Sequence, residues 1–131
     1  MNRDAQFGCS ECWRESAEET LRASAKLERK HELMCEPHFH VMLRACGRCA
    51  QTFMSVFFET IDWADGDDPQ VWVLIPITDS ERDSLREAGA ELLEGAIYDV
   101  GVDRRSLVRD APKGESAKCF WSTGIPMFRH D

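Results

Sequence analysis

The stretch "HVMLRACGRCAQTFMSVFFETIDW" occupies residues 40–63. Apolar, β-branched and aromatic residues flank Cys46 and Cys49, so the segment reads as two strands joined by a cysteine turn. Such a hairpin sets an antiparallel sheet and leaves two thiols at its tip. "ADGDDP" (64–69) then turns the chain, and "QVWVLIPI" (70–77) is a near-continuous apolar run of strand length. That pattern suggests a strand covered on both faces, with Pro76 marking its end.

Around this hairpin the helix signals are local. Ser16 followed by Glu19 has the spacing of a capping box, and good helix formers continue to Met34. Pro37 stops them, because the residue before a proline is pushed out of the α region. Ala17, Leu21, Ser24, Leu27, His31 and Met34 would share one face. Thr78 with Glu81 opens a second expected helix, running to about Glu94 and stopping at Gly95, with Leu85, Ala88 and Leu92 inward. In the last third, "AIYDVGV" (96–102) reads as a short strand, "RRSLVRD" (104–110) as a helical turn, "APKGES" (111–116) as a loop and "KCFWS" (118–122) as a final strand. The expectation is an α+β fold: a small antiparallel sheet, two main helices and a ribbon-like zinc knuckle in the N-terminal part. At 131 residues the chain fits one domain. Residues 1–52 would form a zinc-binding part with a helix, and residues 53–131 an acidic α+β part.

The six cysteines carry the clearest chemistry. The chain opens on "MNRDAQFG", without the basic and apolar regions of a signal peptide, and has no apolar run long enough to span a bilayer. A cytoplasmic location is therefore expected, where thiols serve as metal ligands or buried groups more readily than as disulfides. A tight C-x-x-C turn supplies two thiolates, and two such turns complete a tetrahedral zinc shell. Cys9 and Cys12 in "CSEC" are the partners expected for Cys46 and Cys49. The double C-x-x-C pattern resembles that of zinc ribbons and zinc-knuckle domains. The resemblance covers those four residues and the hairpin around the second pair, and it implies a structural Zn2+ without carrying over an enzymatic function. A thioredoxin-like redox pair would instead place its first cysteine at a helix N-terminus after a strand. "HELMCEPHFH" (31–40) holds four rival donors, His31, Cys35, His38 and His40; the first two would share a helix face at i, i+4. Cys35 and His38, spaced C-x-x-H, could instead complete a site of three cysteines and one histidine with Cys9 and Cys12, Cys35 or a histidine could join the shell, or all eight donors could form two sites. The alternative for Cys35 is a small buried hydrophobe, and for His38 and His40 a strand start; Cys119 is expected in the core.

The net charge of -8 is unevenly placed. Residues 1–52 hold eight Lys/Arg and eight Asp/Glu, leaving eight and sixteen for residues 53–131. This counts against a polyanion partner, although Arg104, Arg105, Lys113 and Lys118 could form a local basic patch. "ETIDWADGDDPQ" (59–70) gathers Glu59, Asp62, Asp65, Asp67 and Asp68 around Trp63. Its spacing does not fit an EF-hand, and a solvated turn is the simplest reading. Asp62, Trp63, Asp65, Asp67 and Asp68 are also the candidate contact residues for a protein partner, which the acidic half would steer if that partner is basic. The expected role is a protein-protein interaction or regulatory module, not an enzyme. The alternatives are a metal-dependent hydrolase using Glu59, Asp62, Asp67 and Asp68, and nucleic-acid binding through the zinc-binding part.

Overall fold

In the computed structural model, residues 7–59, 69–111 and 116–126 are described. Their elements are α1 (Ala17–Ser24), β1 (Glu28–Glu36), β2 (Phe39–Ala45), β3 (Thr52–Glu59), β4 (Gln70–Ile77), α2 (Asp79–Glu87), α3 (Ala90–Asp99), β5 (Arg105–Ala111) and β6 (Lys118–Thr123). The six strands form one antiparallel sheet in the order β1-β2-β3-β4-β5-β6, so each strand pairs with its neighbour in sequence. The fold is α+β, as expected, with three short helices among the described residues.

The β2–β3 hairpin forms where the apolar pattern places it, with Ala45 opposite Thr52 and Phe39 opposite Phe58. β3 pairs with β4 along its whole length, from Thr52 opposite Ile77 to Glu59 opposite Gln70. Alternation along the strands then sorts side chains onto two faces. On one face Val41, Leu43, Met54, Val56, Val73 and Ile75 pack beneath Leu85, Leu93 and Ile97 of α2 and α3. On the other, Phe53, Leu74 and Leu107 pack with Cys12, Leu27 and Cys46, and Trp13, Leu21 and Trp121 border them. β4 is therefore covered on both faces, which explains its unbroken apolar run. Pro76 lies inside the strand rather than after it, opposite Phe53. The ladder to β5 runs only from Gln70 to Leu74, so the missing proline N–H falls beyond that pairing.

Two helix expectations are corrected. The first helix spans eight residues, not eighteen, and ends at Ser24, whose Oγ donates to the Leu21 carbonyl at 2.6 Å. Residues 28–36 instead form the edge strand β1, paired with β2 and shifted in register between Arg29 and His31 and again between Glu32 and Met34. Pairing with an available strand edge outweighs the helix propensity of "ERKHELM", which is a weak preference per residue. His31 and Cys35 therefore share no helix face, and Cys35 is exposed rather than buried. The second helix breaks at Ala88, which is extended, and α3 restarts from Gly89 with Gly95 in its interior. The break makes α3 a separate helix, so its inward face is not fixed by continuing the periodicity of α2. Leu93 and Ile97 face inward, while Leu92 is 72% exposed. "AIYDVGV" thus begins as the end of α3 and "RRSLVRD" lies mostly in strand β5, both contrary to expectation, whereas "KCFWS" falls in β6 as expected.

At the start of α2 the capping box is complete: the Thr78 side chain accepts from the Glu81 amide and Glu81 accepts from the Thr78 amide at 2.8 Å. The Glu81 carboxylate also takes two hydrogen bonds from Arg104, at 2.8 and 3.2 Å, and Arg104 donates to the Pro76 carbonyl at 2.9 Å. Burial alone would push the Glu81 carboxyl up, but the Arg104 and Thr78 hydrogen bonds outweigh it and hold the group below its usual value. A carboxyl lowered in the folded state adds stability above its unfolded pKa and loses it as pH falls through the folded value. Glu81→Gln should lower the urea midpoint at neutral pH. The gap from wild type should close as both proteins are acidified below the carboxylate range; a gap unchanged by pH would show that this pairing does not stabilise the fold.

Candidate metal centre

The first cysteine turn is held by the Cys9 carbonyl, which accepts from the amides of Cys12 (3.2 Å) and Trp13 (3.0 Å). Gly8 enters it with φ +72, and a Cβ there would lie 2.7 Å from the Trp13 Cβ and 2.9 Å from the Cys12 sulfur. Only glycine fits both that backbone and that space. Trp13 then anchors the turn on the sheet, its ring centroid 5.5 Å from Phe53 and 5.0 Å from Trp121. The second turn joins β2 to β3 and is closed by Ala50 N–H to the Cys46 carbonyl (2.9 Å) and Cys46 N–H to the Gln51 carbonyl (3.0 Å). Ala50 sits at φ 66, a left-handed conformation that costs a residue with a Cβ about 1 to 2 kcal/mol.

These two turns bring Cys9, Cys12, Cys46 and Cys49 together, with all four Sγ atoms within 4.8 Å of one another. Cys9 lies 3.8 Å from Cys12 and 3.9 Å from Cys46, and Cys12 lies 3.8 Å from Cys49. A tetrahedron with metal–sulfur arms of ~2.3 Å has edges of about 3.8 Å, whereas a disulfide would bring two sulfurs to about 2 Å. The four thiols therefore form a group that could hold a metal ion. Cys12 and Cys46 are buried, Cys9 is half-buried and Cys49 is exposed.

Backbone amides point at the sulfurs. Cys9 N–H donates to Cys12 Sγ at 3.2 Å and Arg48 N–H to Cys46 Sγ at 3.3 Å. The Glu11 amide lowers the Cys9 thiol to about 7 against the opposing effect of burial. Burial raises Cys12 and Cys49, although an amide from Cys9 and one from Gln51 work in the other direction. Thiolates that receive N–H bonds are better prepared to bind a cation, and a buried uncompensated set is expensive.

Gln51 was not singled out by the sequence, yet it ties the two turns together. Its Oε1 accepts from Gly8 N–H at 3.0 Å, and its Nε2 donates to the carbonyls of Thr52 and Ile77, each at 2.8 Å. One side chain thus links the first turn to the ends of β3 and β4. A glutamine after a C-x-x-C-A run carries no signal of that role, which exists only once the two turns meet.

The rival donors lie elsewhere. His38 Nδ1 is 3.1 Å from Glu59, whose other oxygen accepts from Gln70 at 2.9 Å. Gln70 and then His38 hold the Glu59 carboxyl below its usual value. Cys35 is on the exposed edge strand, and Cys119 is half-buried, its thiol 3.5 Å from the Ala17 carbonyl. Asp62, Trp63, Asp65, Asp67 and Asp68 lie outside the described residues, as does Lys113. Arg104 is committed to Glu81, and the Arg105 guanidinium lies 3.7 Å from the centre of the Trp121 ring. They do not form an open basic patch.

No protein-family model, curated protein or solved structure matches this chain. No helix among the described residues is long and apolar enough to cross a membrane.

Two substitutions test the turns. Ala50→Gly should raise stability by about 1 kcal/mol in chemical denaturation, because it relieves the left-handed Cβ. Gln51→Ala leaves Gly8 N–H and the Ile77 carbonyl without this partner and should cost about 1 to 3 kcal/mol. A Gln51→Ala protein as stable as wild type would mean that water replaces the link at no cost.

Proposed function

We propose that Cys9, Cys12, Cys46 and Cys49 hold a structural Zn2+ and that the chain serves as an interaction module rather than an enzyme. The observation that carries the zinc reading is the convergence of four sulfurs at the spacing of a tetrahedral thiolate shell, from turns 33 residues apart in sequence. Four protein donors fill such a shell and leave no position for substrate, which is the arrangement of structural sites. An all-sulfur tetrahedron also suits iron, so metal identity is part of the test. When bound, the ion would neutralise the thiolates and fasten the N-terminal segment to the β2–β3 hairpin. Apparent zinc binding energies of ~10 to 16 kcal/mol in small modules are as large as a domain's whole stability.

A basic protein partner steered by the acidic segment at Asp62, Trp63, Asp65, Asp67 and Asp68 remains the interaction reading that the charge distribution supports. The hydrolase reading is weaker, because Glu59 is engaged by His38 and Gln70.

Elemental analysis of tag-free protein should give one zinc per chain. Cys46→Ser should lose it together with the packing of Trp13, seen as a change in tryptophan emission. Because ligand thiols must shed their protons, zinc should be released as pH falls, with a colorimetric chelator reporting the release. Iron in place of zinc, or folded protein with no metal at all, would overturn the assignment.

A further inference from the structure

The sheet face opposite α2 and α3 is only partly covered. α1 and the first cysteine turn pack near Phe53, Leu74, Leu107 and Trp121, and α1 runs beside β5 and β6. Farther along the same face, register sets His40 opposite Phe57, Phe57 opposite Trp72, and Trp72 opposite Arg109. Register therefore sets three rings and a guanidinium in one row across β2 to β5, with the His40 and Phe57 rings tilted 49° to each other and Trp72 packed against the Phe53, Leu74 and Leu107 cluster. His40 and Arg109 are exposed, while Phe57 and Trp72 are half-buried. The His40 and Phe57 centroids are 5.8 Å apart, and with strands ~4.8 Å apart the three rings span about 10 Å. Trp72 Nε1 donates to Ser55 Oγ at 2.7 Å, so the polar atom of the indole is already satisfied.

Beside this row, Arg29 and Arg44 sit opposite each other across β1 and β2. With Glu32, Met42, His40 and Phe57 they line a cavity of ≈ 370 Å³, so one carboxylate stands among the two guanidiniums. Arg44 donates to the Leu27 carbonyl at 3.2 Å, but its Nε is buried without a partner. Burial and then the neighbouring Arg29 charge both work against the Arg44 cation. Arg29, Arg44 and Arg109 have no ion pair among the described residues. Among the described residues, Glu32 and Glu59 lie on this part of the face and Glu15 and Glu18 at its α1 end, where Glu18 and Arg109 both act on Cys119; Glu59 is already held by His38 and Gln70.

Two adjacent guanidiniums with a buried free donor call for an anion, and the rings call for a flat, weakly polar partner. An acidic peptide would use the first and leave the second idle. Alternating phosphates and bases meet both demands, because base stacking on aromatic side chains and phosphate contacts to arginine are how single strands are held. We propose that this face binds single-stranded nucleic acid, with bases on His40, Phe57 and Trp72 and phosphates on Arg29, Arg44 and Arg109. This site is separate from the metal centre and goes beyond the interaction reading above. The chain's net charge of -8 opposes a polyanion, so the contact is short and salt-sensitive: three phosphates predict a slope of log K against log salt near about -2.

The test is fluorescence polarisation of a labelled short oligouridylate with the metal-loaded full chain, between about 25 and about 150 mM salt. Saturable binding with that slope is expected, and unlabelled polyglutamate at equal charge should compete poorly. Phe57→Ala should weaken binding by about 5- to 150-fold, the range for one stacked base. Since Phe57 is half-buried, Arg29→Gln and Arg109→Gln provide exposed-site variants; each should weaken binding and flatten the slope by about 0.7. No binding at the lower salt would overturn the proposal, as would affinity unchanged in both arginine variants. Equal competition by polyglutamate would also overturn it, and would reassign the face to an acidic protein.

Discussion

Four sulfur atoms from two distant turns share a space little wider than one metal ion, and the placement of the N-terminal segment depends on that convergence. Trp13 follows Cys12 directly, so fixing the turn also fixes the ring against Phe53 and Trp121. α1 begins four residues later and packs beside β5 and β6. Without a cation, two buried and two less buried thiols face one another, with Cys12 raised by burial. The same burial that makes the thiols costly when ionised makes a bound cation hard to displace. Gln51 supplies the neutral part of this junction and makes the site continuous with the sheet.

The parts of the fold that were legible are those with a single interpretation. The β2–β3 hairpin and β4 have strong apolar patterns, and both cysteine pairs have turn spacing. β1 was not legible because its charged residues favour helix locally while its partner, the edge of β2, is known only in three dimensions. The break before α3 was hidden for a different reason. Ala88 and Gly89 leave the local composition helical on both sides, yet they separate α3 from α2, and Leu93 rather than Leu92 faces the core. At the site, the four cysteines that converge could be read from spacing, whereas Gln51 acquires its role from atoms 43 and 26 residues away.

Charge shows the same division between total and placement. The sum of -8 describes the whole chain, but register gathers Arg29, Arg44 and Arg109 on one face of the sheet. Some residues counted as a basic surface are used internally: Arg104 fastens the start of α2 to the end of β4, and Arg105 stacks on tryptophan. Their charges contribute to packing between elements rather than to an open field.

The irregular pairing of β1 has a bearing on self-association. A sheet that ends in a flat strand offers a row of free amides and carbonyls to the next molecule, and fibrils grow by that addition. Here that border carries two register shifts and the charged residues Glu28, Arg29, Lys30 and Glu32. The distortion spoils the alignment that a further strand would need, and the ionised side chains would have to be brought together on stacking. The same feature that obscured β1 in the sequence thus guards one border of the sheet against aggregation.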